Sequence, residues 1–176
     1  MTNKWIVKEI NNEKVELLKE KFNLSNLAAK IISNRNILGR EMQEDDIRKF
    51  LNPTRDDFYN PFLLPDMEKA VNRIEKAIEN NEKILIYGDY DADGITSTTI
   101  LTNFFKDIGI EVDKYIPNRL KEGYGINNKA LEEIKDRGIS LIITVDTGIT
   151  ANSQVDYANE LGLDVIVTDH HEPSEE

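Results

Sequence analysis

The stretch Lys83 to Phe105, KILIYGDYDADGITSTTILTNFF, constrains the fold of this chain more than any other. It opens on Ile84-Leu85-Ile86-Tyr87, an apolar run with the length and branching of a buried strand. Gly88 permits a turn, Asp89, Asp91 and Asp93 follow at alternate positions, and Gly94 ends the acidic segment. Beyond it Ile95, Thr98, Thr99, Thr102 and Phe105 recur at helical spacing, with Ile100, Leu101 and Phe104 widening the buried face. In an extended segment residues two apart point the same way, so the alternation predicts three carboxylates converging at the strand's exit. Like charges held close repel unless a cation sits among them, and a hard divalent ion is the simplest candidate.

Two other readings of that loop fit the residues less well. D-x-D-x-D-G also begins an EF-hand loop, and with Asp89 first, Gly94 takes the place of its invariant glycine. The acidic residue that such a loop requires at its end is here Ile100, and the loop follows a strand where an EF-hand loop follows a helix. Aspartate is also common in turns and at N-caps. That accounts for one such carboxylate more readily than for three in alternation beside two glycines.

From Lys83 onward strand and helix patterns alternate. Further strands are predicted at Val112–Ile116, Leu141–Val145 and Val165–Thr168, and helices near Asn128–Arg137 and Asn152–Leu161, followed by Gly138 and Gly162. Repeated βα units of this spacing predict an α/β fold, a parallel sheet with helices on both faces. Right-handed crossovers would place every strand's C-terminus along one edge.

The first 65 residues lack this repeat and predict a small helical appendage, with residues 66–176 forming the α/β part. Ser25 caps a helix over Asn26–Ile32, and Asp45 caps one over Asp46–Leu51. Pro53, Pro61 and Pro65 punctuate a connector carrying Phe58, Tyr59, Phe62, Leu63 and Leu64, which reads as a strap packed across a core. Asp66 caps a helix with Met67, Ala70, Val71, Ile74, Ala77 and Ile78 along one face.

At 176 residues the chain is long enough for one sizeable core. It has no cysteine, which excludes disulfides, zinc–thiolate centres and thiol nucleophiles. No apolar run is long enough for a bilayer and no signal-peptide pattern is present, so a cytoplasmic location without membrane contact is expected. A formal net charge of −11 opposes non-specific attraction to phosphate backbones. A nucleic-acid role therefore needs metal ions, a local basic face or another domain.

Three predicted strand exits deliver chemistry to the same edge, where open α/β sheets bind ligands. The first brings Asp89, Asp91 and Asp93, the third Asp146, and the fourth Asp169, His170 and His171. The chain's two histidines are adjacent at one exit, which favours metal or phosphate contact over an isolated structural role. Carboxylates with one or two imidazoles suit Mn²⁺ or Mg²⁺ better than zinc. There is enough acidic charge for two such ions, one carboxylate serving both.

The fragment Asp169-His170-His171 resembles the signature of the DHH phosphoesterase family, and GDYDADG (88–94) and VDTGIT (145–150) resemble its first two motifs. FYNPFLLPDMEKAVNRI (58–74) and IPNRLKEGYGI (116–126) look like the RecJ-type single-strand-specific exonucleases within it, and unlike the shorter pyrophosphatases. The resemblance runs from about residue 20 to the end. It implies two bound Mn²⁺ or Mg²⁺ ions and 5′-to-3′ hydrolysis of single-stranded DNA in repair and recombination. A single-strand-binding protein or a helicase would be a fitting partner. By position, Asp91 and Asp93 would each hold a metal and Asp146 would bridge the two. His170 would be a ligand, His171 would meet the scissile phosphate, and Asp89 would be a ligand or stand just behind one. Asp146 and His171 are thus the expected catalytic pair. Arg119 is a candidate to bind a phosphate and Tyr124 to stack on a base.

Two departures from the family pattern stand out. Related pyrophosphatases carry a histidine ligand where this chain has Tyr87. The family's further metal-binding aspartate lies well downstream of Asp-His-His, whereas the sequence ends five residues after His171. The expectation is an N-terminal fragment, inactive alone, holding the first half of the catalytic domain. Other readings are a hydrolase of oligonucleotides, cyclic dinucleotides or pyrophosphate, and a non-catalytic binding relative. A segment before residue 80 argues against the former, and retained metal motifs against the latter.

Overall fold

Ile84–Gly88 and Leu141–Val145 are buried along their whole length, as expected of central strands covered on both faces. The computed structural model describes residues 9–35, 43–120, 123 and 125–174. Among them four parallel strands form a sheet in the order β2-β1-β3-β4, where β1 is Ile84–Gly88, β2 Asp113–Tyr115, β3 Leu141–Val145 and β4 Asp164–Thr168. The second strand is one residue shorter at each end than its sequence suggests.

The helices explain the topology. In the numbering of the whole chain, α4 is Met67–Glu79, α5 Ala92–Asp107, α6 Asn128–Asp136 and α7 Asn152–Glu160. Ile84, Ile86, Leu141, Ile143 and Val145 face Ala77 of α4 and Phe105 of α5, with Ile74 and Leu101 packed alongside. Leu85, Tyr87 and Ile142 point to the other face, against Ala130, Leu131 and Ile134 of α6 and Ala158 of α7. A fully buried side chain of this size contributes roughly 1.5–3 kcal/mol. From β1 the chain steps outward to β2 by way of α5, then reverses across β1 to β3 by way of α6 on the opposite face. A change of direction paired with a change of face is what a single crossover hand requires. The reversal leaves a switch point between β1 and β3.

The chain divides into two units, residues 1–60 and 61–176. The first holds α1 (Asn12–Phe22), α2 (Asn26–Ser33) and α3 (Glu44–Leu51). Val15, Leu18, Ala29, Ile32 and Ile47 make its core. Ser25 caps α2 as predicted, its Oγ accepting from Ala28 N at 3.2 Å. The cap of α3 is Gln43 and not Asp45. Asp46 reaches back to the Gln43 amide at 2.9 Å, and the helix starts two residues early. Asp66 precedes α4, but at φ 56° its side chain does not cap. The strap is also corrected, since Phe58 and Tyr59 are 78% and 82% exposed and Phe62, Leu63 and Leu64 are exposed as well. Two short 3₁₀ turns, Arg55–Asp57 and Pro61–Leu63, bury none of their own side chains. No helix among the described residues is long and apolar enough to cross a membrane.

One carboxylate in the first unit yields a pH test. Asp57 accepts from Arg48 Nη2 at 3.0 Å and from Thr54 N and Oγ1, both at 2.9 Å. The Arg48 hydrogen bond first, then those of Thr54, pull its carboxyl down to about 2. A depressed carboxyl adds stability above its unfolded value of about 3.9, and this is lost as pH falls through the folded value. Asp57→Asn is therefore expected to weaken protection of the α3 amides at neutral pH and to change little near pH 2. Hydrogen exchange at the two pH values checks this; equal losses at both would remove the ionised carboxylate from the account.

Candidate metal centre

Gly88, Val145 and Thr168 lie side by side in register at the ends of β1, β3 and β4. The next residues of the three strands, Asp89, Asp146 and Asp169, therefore emerge together at the switch point, where ligands bind to open α/β sheets. Asp89, Asp91 and Asp146 each place a carboxylate oxygen within 4.8 Å of the others, and a carboxylate oxygen of Asp146 lies within the same distance of ring nitrogens of His170 and His171, themselves as close to each other. Asp146 belongs to both groups.

Close approach of backbone builds the β1 corner. A Cβ on Gly94 would stand 2.4 Å from the Asp89 carbonyl oxygen and 2.6 Å from its Cα. Only glycine lets α5 start this near the strand. Asp91 is the N-cap of α5, its Oδ1 accepting from Asp93 N and Gly94 N at 3.0 Å. The amide of Gly94, ahead of that of Asp93, holds the Asp91 carboxyl below its ordinary range. The N-cap role set aside from the sequence is thus present. It also corrects the alternation argument, because the helix already begins at Ala92 and Asp93 sits in its first turn. Asp93 joins neither of the two groups, although its charge reaches Asp146.

The β3 corner is held in an unusual backbone state. Asp146 adopts φ 60°, a region Asn and Asp tolerate better than other side chains. Its amide donates to Thr168 O at 3.0 Å, and Thr168 Oγ1 donates back to Thr144 O at 2.6 Å. Thr144 Oγ1 closes the turn on Thr147 O at 2.8 Å. The Asp146 side chain is buried; His170 Nε2 lies 3.0 Å from Oδ1, while Oδ2 has no hydrogen-bond partner among the described residues. Burial first, then the Asp91 charge, push its carboxyl up.

Asp169 joins the other two strand exits. Its Oδ2 accepts from Ile149 N at 3.0 Å. Its Oδ1 accepts from the amides of His170 and His171 at 2.8 and 3.1 Å, and meets His171 Nδ1 at 2.7 Å. Burial opposes its charge, but those hydrogen bonds, the Ile149 amide foremost, hold the carboxyl low. The bond to Asp169 in turn raises His171. An ionised carboxylate only accepts, so His171 Nδ1 carries the proton. Sequence reasoning gave Asp169 no role of its own, because its partner Ile149 lies twenty residues away.

Tyr87, at the possible histidine position, is fully buried. Its hydroxyl donates to Gly125 O at 3.0 Å and its ring stacks on Tyr115, centroids 5.1 Å apart. It packs into the core cluster of α6 and α7. Arg119 lies over the Tyr90 ring, 5.3 Å from its centroid. Tyr124 falls outside the described residues.

The donors fit a hard cation. They are carboxylate oxygens with imidazole nitrogens, and the one shared by both groups has a buried oxygen without a protein partner. Fold and site together define an α/β protein with an acidic, imidazole-bearing centre at the switch point.

Residues 83–176 match the family model described as DHH family, N-terminal domain, and the chain belongs to that family. It is 47% identical over 173 residues to the single-stranded-DNA-specific exonuclease RecJ of Bacillus subtilis, a match covering 98% of this chain and 22% of that protein. With the RecJ of Haemophilus influenzae it shares 37% identity, over 82% of this chain and 26% of the relative. Among solved structures, a crystal structure of exonuclease RecJ bound to manganese superposes with a TM-score of 0.59 at 40% identity, over 65% of this chain and 30% of that one. The chain thus spans about a quarter of the length of the curated relatives it matches.

Proposed function

We propose that the protein hydrolyses phosphodiester bonds of single-stranded DNA, as a cation-dependent 5′-to-3′ exonuclease of repair and recombination. The observation that carries this is Asp146, shared by both side-chain groups and with a buried oxygen left for a cation. Supporting it are the relatives described as single-stranded-DNA-specific exonucleases, and the manganese in a solved structure of an exonuclease RecJ. Catalysis is assigned to residues 66–176, with residues 1–65 as an appendage. The proposal extends to a cytoplasmic setting, with a single-strand-binding protein or a helicase presenting the strand.

Asp91 with Asp89 would hold one Mn²⁺ or Mg²⁺ ion, Asp93 with His170 the second, and Asp146 both. Bound divalent cations supply Lewis acidity to phosphoryl oxygens and to water. The chain's own groups do the rest. Asp169 fixes the His171 ring through Nδ1, and that ring would meet the scissile phosphate. Its raised pKa keeps that ring cationic at higher pH, which suits a phosphate contact. Arg119 binds a further phosphate, and Tyr124 stacks on a base.

With Mn²⁺, the full-length protein is expected to degrade a 5′-phosphorylated single strand far faster than a blunt duplex or pyrophosphate. Labelled-strand digestion beside a phosphate-release assay measures all three. Pyrophosphate turnover equal to or above that of the strand would move the assignment to another phosphoesterase of the family.

A further inference from the structure

Tyr90 stands in the chain between two of the clustered aspartates, Asp89 and Asp91. Its amide is tied down, donating to Asp89 Oδ1 at 2.7 Å. The ring is half-buried, with the Arg119 guanidinium over its face. Arg119 arrives from the segment after β2, on an exposed turn, and makes no ion pair with the carboxylates among the described residues. Here the face of an aromatic ring takes it, a contact that leaves its fork of N–H donors open for an anion.

We infer that Tyr90 is a positioning residue, whose ring holds Arg119 at the edge of the acidic centre so that the guanidinium grips a substrate phosphate next to the scissile one. The inference rests on the exonuclease reading, and it adds a residue that acts on substrate only through another. Three physical points favour it. The net charge of −11 makes every correctly placed cation count in holding a polyanion. An exposed arginine carries much rotamer entropy, and a preset position lowers the cost of ordering it on binding. Tyr90 is also anchored by the same backbone corner that sets Asp89 and Asp91, so the phosphate grip and the carboxylates share one frame.

A double-mutant cycle on the full-length protein tests this, with KM and kcat measured on a 5′-phosphorylated single strand in Mn²⁺ and the Kd for the same strand measured with Ca²⁺. Tyr90→Leu is expected to raise KM about two- to fivefold, the range of an exposed cation–π contact, with kcat held. Tyr90→Phe keeps the ring and should restore the parent KM. In an Arg119→Ala background, Tyr90→Leu should change KM no further. Arg119→Lys is an exposed change that keeps the charge but loses the planar fork, and it should raise KM even if Tyr90→Leu fails to fold. A full Tyr90→Leu effect in the Arg119→Ala background, a loss confined to kcat, or a parent-like KM for Arg119→Lys would overturn the inference. Should the parent bind the strand without cutting it, the exonuclease reading fails while the Kd cycle still decides the role of Tyr90. A parent that neither binds nor cuts overturns both.

Discussion

Asp146→Asn is expected to remove most of the metal-induced stabilisation while leaving the apo fold at least as stable as the parent. The two effects have opposite signs, and each has its own cause. Asparagine tolerates φ 60° as aspartate does, and it keeps the amide bond to Thr168 O. Without a cation the parent carboxylate is buried beside Asp91, which raises its pKa. A raised pKa means that the stability present below the unfolded value is lost as pH rises through the folded one. At neutral pH the ionised Asp146 therefore costs stability that the neutral amide does not. With Mn²⁺ at about a hundred times its Kd, the parent gains about 2.7 kcal/mol by mass action. Loss of an outer partner alone weakens metal binding by up to about 100-fold, and loss of a shared ligand should do at least as much. The residual gain would then be about 0.4 kcal/mol. For a protein this size the lost shift is about 5–10 °C in Tm. Melts of parent and variant with and without Mn²⁺ read both signs, and an unchanged metal shift in the variant would rule out the centre at Asp146.

What could be read from the sequence divides along the length scale of the interactions. The strands were legible because a parallel sheet covered on both faces needs unbroken apolar runs, and Ile84–Tyr87 and Leu141–Val145 are such runs. Convergence of Asp89, Asp146 and His170 followed from topology alone, since parallel strands end on one edge. The alternation argument did not place Asp93, because it assumes extended backbone, whereas Asp91 takes the cap and starts the helix at Ala92, with Asp93 in its first turn. The positive φ of Asp146 and the buried links of Asp169 depend on partners from other strands, and no local pattern announces them. The aromatic connector was misread for the opposite reason. Apolar composition shows that a segment can be buried, not that anything lies over it, and Phe58 and Tyr59 are exposed.

Gly94→Ala is expected to be among the most damaging single-methyl additions in the molecule, although it puts the better helix former into α5. Helix propensity favours the change by about 1 kcal/mol. Against this, the new Cβ would meet the oxygen, carbon and Cα of Asp89 at 2.4–2.6 Å, all backbone atoms that no rotamer change can move. Either α5 lifts from the end of β1 or the corner at Asp89 unfolds. Both separate Asp91 from Asp89 and Asp146, so metal binding and stability should fall together. Overpacking of this kind costs about 1–3 kcal/mol, and an immovable backbone puts it at the upper end. Gly88→Ala supplies the control. Its Cβ would stand 2.0 Å from Thr98 Oγ1 but 3.0 Å from the nearest backbone atom, Gly94 O. Thr98→Ala should therefore relieve much of the Gly88→Ala defect and none of the Gly94→Ala defect. Thermal melts of the two alanine variants, alone and combined with Thr98→Ala, measure the difference. A Gly94→Ala protein with the parent Tm and the parent response to Mn²⁺ would mean that close approach at this corner is not what holds the aspartates together.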